Sequence, residues 1–334
     1  MLILFIICAE KACPPLCTVY VCVTVIYIPL MLFGLLGNIL TILVVWLRPH
    51  MRTSTYLYLS SMAVSDLLIL LLLPLDLYKL WRPRPWPLGD LACKLTMFLS
   101  ECCTFCTILH ITFLSLERYL AVCWPITAKT VVTRRRTRAI IGCLWLSAAV
   151  SAAPVLVMVG VEDRECRCTH FAISSGLLSA MMILSNLYFL VPLCILGVVY
   201  SLIGRTLWLR PKSSRRDQSH RNTVKMLGVI VLAFVLCWLP FHVGRTIFSL
   251  SLVFSDTYAP PDTHLYFLYY LSQYFNLVSS VLFYLSAAVN PLLYNLMSAR
   301  YRHAVRSLIR TQRKLPAHRF QTPWFYTTQV KHDT

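Results

Sequence analysis

Seven stretches of apolar residues, each long enough to cross a bilayer and each nearly free of charge, recur along the chain of 334 residues. A hydrocarbon core needs roughly 20 apolar residues in a helix. The pattern predicts spans at Val19–Trp46, Thr55–Trp81, Leu91–Val122, Arg138–Val159, Gly176–Leu207, Thr223–Ser249 and Leu265–Met297. Backbone groups in lipid must bond within their own segment, so the expected class is all-α, a seven-transmembrane helix bundle. Spans three, five and seven exceed the minimum and are predicted to tilt or to protrude.

Composition agrees with this pattern. The chain is 58% hydrophobic and 13% charged, against about 25% charged in a soluble domain. Its formal charge of +18 would point to nucleic acid in a soluble protein, but here placement matters more. Of the 31 Lys and Arg residues, 23 fall in the first, third and fifth connections, their helix ends and the C-terminal tail. Short cytoplasmic loops carry such an excess, so the N-terminus is expected outside the plasma membrane. The clusters Arg134, Arg135, Arg136 and Arg138, and Arg215, Arg216 and Arg221, then face the cytosol. Anionic inner-leaflet lipid is an expected partner there and nucleic acid is not. Met1–Cys8 is apolar but lacks the positive lead of a signal peptide.

Fourteen cysteines invite a disulfide framework, yet Cys102, Cys103, Cys106, Cys143, Cys194 and Cys237 lie in apolar spans, where free Cys packs as a small hydrophobe. The informative ones lie on the outer side, where oxidation is possible: Cys93, Cys166 and Cys168.

Ionisable side chains at bilayer depth are costly and therefore candidates for function. Asp66 in the second span, Asn38 in the first and Asn290 in the seventh read as a polar cluster. It either binds water or an ion such as sodium, or simply joins helices through hydrogen bonds worth about 0.6–2 kcal/mol each. Nearer the outside lie Asp76, Glu101 and Arg245. Glu101–Arg245 is the better candidate for a buried ion pair, since any of the three left unpaired would cost several kcal/mol. That level is either a pocket whose acids receive an amine or basic side chain, or a pair that only fixes the helices. Phe241, His242, Phe248, Tyr274, Phe275, Phe283 and Tyr284 surround it, and apolar walls with a few polar anchors make a cavity.

Pro192, Pro240 and Pro291 each remove a backbone hydrogen bond and invite a kink. Trp238 stands just before Pro240, so a ligand that shifts its indole would swing half of the sixth helix. Asn290-Pro291-Leu292-Leu293-Tyr294 and Glu117-Arg118-Tyr119 complete a set of switch-like positions. In the second motif the adjacent acid is expected to hold Arg118 at rest. The nine histidines are scattered, with His110 and His242 on different helices. Neither a metal cluster nor a nucleophile–base pair is recognisable, so the chain reads as a non-enzyme. A transporter, which usually carries internal repeats, is a remote alternative.

Together these marks resemble the class A (rhodopsin-like) G-protein-coupled receptors over nearly the whole chain. The resemblance rests on Gly37-Asn38, Ser65-Asp66, Cys93, Glu117-Arg118-Tyr119, Trp145, Pro192 with Tyr200, Cys237 through Pro240, and Asn290 through Tyr294. Met51 through Leu68, Pro74-Leu75-Asp76-Leu77, Arg84-Pro85-Trp86, Cys237 through Arg245 and Phe283 through Asn290 are similar to the ghrelin and motilin receptor group. The resemblance implies three segments: 1–18 extracellular, 19–299 transmembrane, and 300–334 an amphipathic eighth helix with a cytoplasmic tail. It implies a Cys93–Cys166 disulfide, although Cys168 departs from the group's pattern. It implies a peptide-hormone pocket lined by Asp76, Glu101, Phe241, His242, Arg245 and Phe283, with Met97 standing where a polar residue is usual. It also implies a heterotrimeric G protein partner of the Gq class, signalling through phospholipase C and calcium, and arrestin. A receptor for a neuropeptide of the neuromedin or neurotensin type is the alternative within the family.

Overall fold

The computed structural model describes the backbone of residues 14–82, 84–209, 215–257 and 263–313. Side chains are described within those ranges except at 14–19, 215–217, 219–220, 222–223, 226–227, 248–257, 263–274, 276, 294–297 and 311–313. Among the described residues, seven long helices form the bundle: α1 (Pro14–Leu47), α2 (Ser54–Trp81), α3 (Gly89–Cys123), α5 (Arg134–Ala152), α8 (Leu177–Leu209), α9 (Arg215–Thr257) and α10 (Thr263–Met297). Short helices α4 (Pro125–Val131), α6 (Val155–Met158) and α7 (His170–Ser174), a hairpin of β1 (Val159–Glu162) and β2 (Glu165–Cys168), and a final helix α11 (Ala299–Arg313) complete it. Six of the seven are apolar over a membrane-spanning length, and α10 is apolar over Leu277–Leu293 among its described residues.

The bundle inverts the surface of a soluble protein. Phe33, Leu36, Trp46, Leu71, Leu146, Val150 and Val198 are all more than half exposed, an apolar skin that only lipid covers without cost. Inside, α3 is the axis, packing on α2, α5, α8 and the hairpin. Tyr58, Leu59, Met62 and Leu70 of α2 and Cys103, Phe105, Cys106 and Ile108 of α3 are completely buried. The apolar-span cysteines of α3 thus pack as expected.

The fourth and sixth helices depart most from their predicted bounds. The fourth span was expected over Arg138–Val159, but α5 stops at Ala152, one residue before Ala153-Pro154. Pro154 has no N–H to continue the ladder, and the chain passes through α6 into β1. The sixth span, expected from Thr223 to Ser249, is a 43-residue helix. Arg215, Arg216, Asp217 and Gln218 form its start beyond the apolar core, since straight-chain polar residues favour helix in water.

At one end of the bundle, the hairpin end, β1 and β2 lie across the helices. A turn with Asp163 and Arg164 both at positive φ (51° and 62°) joins the strands, the handedness that two-residue hairpins require. Trp86 N–H donates to Arg164 O at 2.8 Å, Arg84 pairs with Glu165 at 3.0 Å, and Val161 N–H donates to Asp90 at 3.0 Å. The other end is the basic end. There Arg300 donates to His50 O at 2.5 Å, and Tyr301 and Thr41 hydroxyls meet at 3.0 Å. These bonds lay α11 against α1 and the turn after it. Tyr301, Ala304 and Leu308 are buried and Val305 packs on the same core, as an amphipathic helix requires, while Ile309 stands at the edge of that face, 46% exposed.

α1 and α10 approach so closely that a Cβ at Gly37 would stand 2.8 Å from the ring of Pro291. Pro291 cannot rotate away, so Gly37→Val should lower the thermal unfolding temperature of the purified protein, at a cost of about 1–3 kcal/mol. Gly197→Val, at a glycine with open space around it, is the control. Equal unfolding temperatures for the two variants would refute the contact.

Candidate functional site

At the hairpin end, α3 and α9 are joined by Glu101 and Arg245. Arg245 Nη1 lies 2.5 Å from Glu101 Oε2, with the acid side chain only 8% exposed. The expected ion pair is therefore formed. It uses one carboxylate oxygen; the other, Oε1, is buried and has no partner among the described residues. The third charge, Asp76 of α2, is bound elsewhere. It accepts from the Tyr284 hydroxyl of α10 and pairs with Lys79 Nζ at 3.6 Å. Lys79, one turn further along α2, also lies 5.2 Å over the Trp86 ring and 3.8 Å from Met97 sulfur. Sequence reasoning missed Lys79 and Tyr284 as partners of Asp76, although the i, i+3 spacing of Asp76 and Lys79 was a usable signal.

The aromatic residues form one connected set. Phe241 stacks on Phe283 at 5.0 Å, Trp238 meets Phe283 edge-on at 5.4 Å, and Trp238 lies 5.7 Å from Phe234. His242 stacks on Phe189 of α8 at 4.6 Å. It is almost fully buried, and neither ring nitrogen has a partner among the described residues. The set runs from the level of Arg245 down to Trp238 in the middle of the bundle. Below Trp238 is a cavity of about 20 Å³ lined by Thr107, Ile111, Phe234, Ser286 and Asn290 among others, enough for one water-sized occupant. Beside the Pro240 kink, Ser279 Oγ of α10 lies 3.0 Å from Pro240 O. Phe248 and Tyr274 lie outside the described side chains.

In the middle, Asn290 Nδ2 donates to Asp66 at 2.9 Å, joining α10 to α2. Asn38 does not reach Asp66 directly. Its Nδ2 donates to Ala287 O at 3.0 Å, joining α1 to α10, and its Oδ1 is a buried acceptor without a partner among the described residues. Ser65 and Thr107 hydroxyls meet at 2.9 Å, which ties in α3. A second polar link, unnoticed in the sequence, runs from His110 to Ser61 (2.9 Å) and from Trp145 to the same hydroxyl (2.9 Å).

At the basic end the structure departs from expectation. Glu117 and Arg118 form no ion pair among the described residues. The Glu117 carboxylate instead accepts from Ser54, from Tyr58 at 3.0 Å and from Thr137 at 3.4 Å. Arg118 donates to Thr55. Adjacent residues on a helix point about 100° apart, so each charge meets a different neighbour. Tyr119 accepts from Trp124 at 3.4 Å, and Tyr200 lies 3.5 Å from Ser115. The Tyr294 side chain lies outside the described residues.

The disulfide is Cys93–Cys166, and Cys168 is free. Burial raises the Cys168 thiol above its ordinary value, which keeps it protonated and slow to exchange.

Comparison with known proteins gives this geometry its family. The sequence profile of the 7 transmembrane receptor (rhodopsin family) matches residues 37–294. The growth hormone secretagogue receptor type 1 of Sus scrofa is 52% identical over 312 residues, covering 88% of this chain and 83% of that receptor. The motilin receptor of Homo sapiens is 41% identical, with 92% and 86% covered. The neurotensin receptor type 1 of Homo sapiens is 32% identical, with 89% and 79% covered. A bundle of seven apolar helices, a hairpin tied to α3 and a polar chain through the lipid core thus belong to a receptor rather than an enzyme, and the chain is a member of the rhodopsin family of seven-transmembrane, G-protein-coupled receptors.

Proposed function

We propose that the hairpin end faces outside the plasma membrane and receives a ghrelin- or motilin-like peptide hormone, and that the basic end promotes nucleotide exchange on a heterotrimeric G protein of the Gq class. The observation that carries this reading is the Glu101–Arg245 pair, whose second carboxylate oxygen is buried and still able to accept. A buried acid with unused acceptor capacity favours an incoming amine or N–H donor, and Phe241 and Phe283 stand beside it as an apolar wall. The names of the similar receptors supply the ligand class. A neurotensin-type peptide is the second reading, favoured by the more distant relative alone.

For the G protein, the supporting feature is an apolar knob on a charged surface. Ile126 on α4 is 84% exposed, with Lys129, Arg134 and Arg135 exposed nearby in the chain. Between the ends of α8 and α9 lies a groove of about 330 Å³ lined by Leu207, Gln218, Arg221, Val224 and Lys225. Apolar contacts ringed by cations suit an amphipathic helix bearing acids. Arrestin would bind the same end. Basic residues there also suit anionic lipid.

A sodium ion is the proposed occupant near Asp66. A carboxylate, the Asn290 amide, the Thr107 and Ser286 hydroxyls beside the small cavity and the orphan Asn38 oxygen are hard oxygen donors that fit a small cation. The ion would hold the helices in one packing.

Four outcomes are expected. In transfected cells exposed to acylated ghrelin, des-acyl ghrelin and motilin, at least one peptide should raise calcium. Glu101→Gln should then weaken potency about tenfold or more at unchanged surface level, as loss of a charge-assisted hydrogen bond implies. Unchanged potency would remove Glu101 from the pocket. Ile126→Ala should lower agonist-driven GTP exchange in membranes while leaving peptide affinity in the absence of G protein as it was; equal exchange would place the docking surface elsewhere. Asp66→Asn should abolish any dependence of peptide affinity on sodium concentration, and persistence of that dependence would move the ion.

A further inference from the structure

We propose that the free edge of β2 takes an extended segment of the peptide ligand as a third strand, so that main-chain hydrogen bonds from Cys166 and Cys168 hold it. This rests on the reading that the ligand is a peptide, and it concerns how that peptide is gripped.

The argument begins with register. Val161 stands opposite Cys166, and Val159 opposite Cys168. Opposed residues of an antiparallel pair either exchange both hydrogen bonds or turn both sets of groups outward. Val161 N–H is turned outward, because it donates to Asp90 on α3 at 3.0 Å. Its partner Cys166 is therefore turned outward on the other side, and Cys168, two residues along, repeats it. The position beyond agrees: Thr169 N–H donates to Met158 O at 2.8 Å, the inward pair that must follow an outward one.

The two edges of the hairpin differ. The outer edge of β1 is met by α3 through Asp90. The outer edge of β2 presents N–H and C=O of Cys166 and Cys168 with no partner among the described residues. Both residues are only partly exposed, and main-chain polar groups so placed need partners. The edge is also rigid: the Cys93 disulfide, the Trp86–Arg164 bond and the Arg84–Glu165 pair fix the strand before any ligand arrives. It stands beside the proposed pocket, since Cys166 and Cys168 pack on the cluster that holds Cys102, the neighbour of Glu101 on α3. A preformed edge next to a charged anchor is the arrangement by which strand addition combines main-chain affinity with selection of alternate side chains.

Proline distinguishes this grip from side-chain contact. Cys168→Pro deletes an outward N–H and leaves the hairpin's own bonds in place, whereas Cys168→Ala removes only the thiol. The proline variant should require about tenfold more acylated ghrelin or motilin for half-maximal calcium response than the alanine variant, the effect of one main-chain hydrogen bond. Equal potency overturns the proposal. Should the proline variant fail to reach the surface, the peptides themselves serve: backbone N-methylation should weaken binding at alternate residues of one segment, and an absent or non-alternating effect overturns it. Amide hydrogen exchange of Cys166 and Cys168 in the purified receptor should be fast alone and slow with peptide, while Arg167, in the inward pair with Gly160, should be slow in both. Slow exchange of Cys166 and Cys168 without peptide means that the chain covers its own edge, which also overturns the proposal. A wild-type receptor silent to both peptides would sink the hormone reading instead, while exchange in the peptide-free receptor still decides whether the edge is open.

Discussion

Lipid surrounds the middle of the bundle, so a polar group placed there is costly unless another group meets it. The rest of the structure follows from this constraint. A carboxylate such as Asp66 costs several kcal/mol at that depth if left alone, far more than an interhelical hydrogen bond returns. Its bond to Asn290 offsets part of that cost and ties α10 to α2. Asn38 fixes α1 against α10 through Ala287 O, and Ser65 with Thr107 fixes α2 against α3. The glycines then set the distance: Gly34 and Gly37 let α1 come close enough for Asn38 to reach.

The same polar chain sits beneath the aromatic one. Trp238 bridges them, touching Phe283 and Phe241 above and lining the small cavity that reaches Asn290 below. Interiors packed to crystal density do not deform smoothly; they change between discrete arrangements. A void of one water's size beside the indole, next to the missing backbone bond at Pro240, is where an alternative arrangement costs least. Ser279, close to Pro240 O, ties that kink to α10.

Much of this was legible in the sequence for a simple reason. Twenty apolar residues in a row have few fates, and a charge inside such a run is conspicuous, so the spans, Asp66 and the Glu101–Arg245 pair could be read directly. What escaped notice depends on which residues of different helices share a level. Nothing in periodicity places Tyr284 against Asp76, Tyr58 against Glu117, or His110 against Ser61, because these contacts are set by helix tilt and offset. The break before Pro154 had a visible cause but was overruled by the apolar run continuing through it. The helical start of α9 was obscured for the opposite reason: a polar run reads as a loop when length in lipid is the guide, although Arg215, Arg216, Gln218 and Arg221 favour helix.

The basic end shows how an expected contact is replaced without breaking the governing rule. A carboxylate is satisfied by neutral donors as well as by a cation, and Glu117 has three: Ser54 and Tyr58 from the start of α2 and Thr137 from the start of α5. With these in place it has little need of Arg118, which turns to Thr55 and keeps its positive charge uncancelled. The helix carrying Ile126 begins seven residues after Arg118, so an unneutralised cation and an exposed apolar knob belong to the same end of the bundle. A partner surface offering an acid beside an apolar helix face would gain from both. The hydroxyl groups that hold Glu117 are therefore what leaves Arg118 with Thr55 as its partner instead of the adjacent acid.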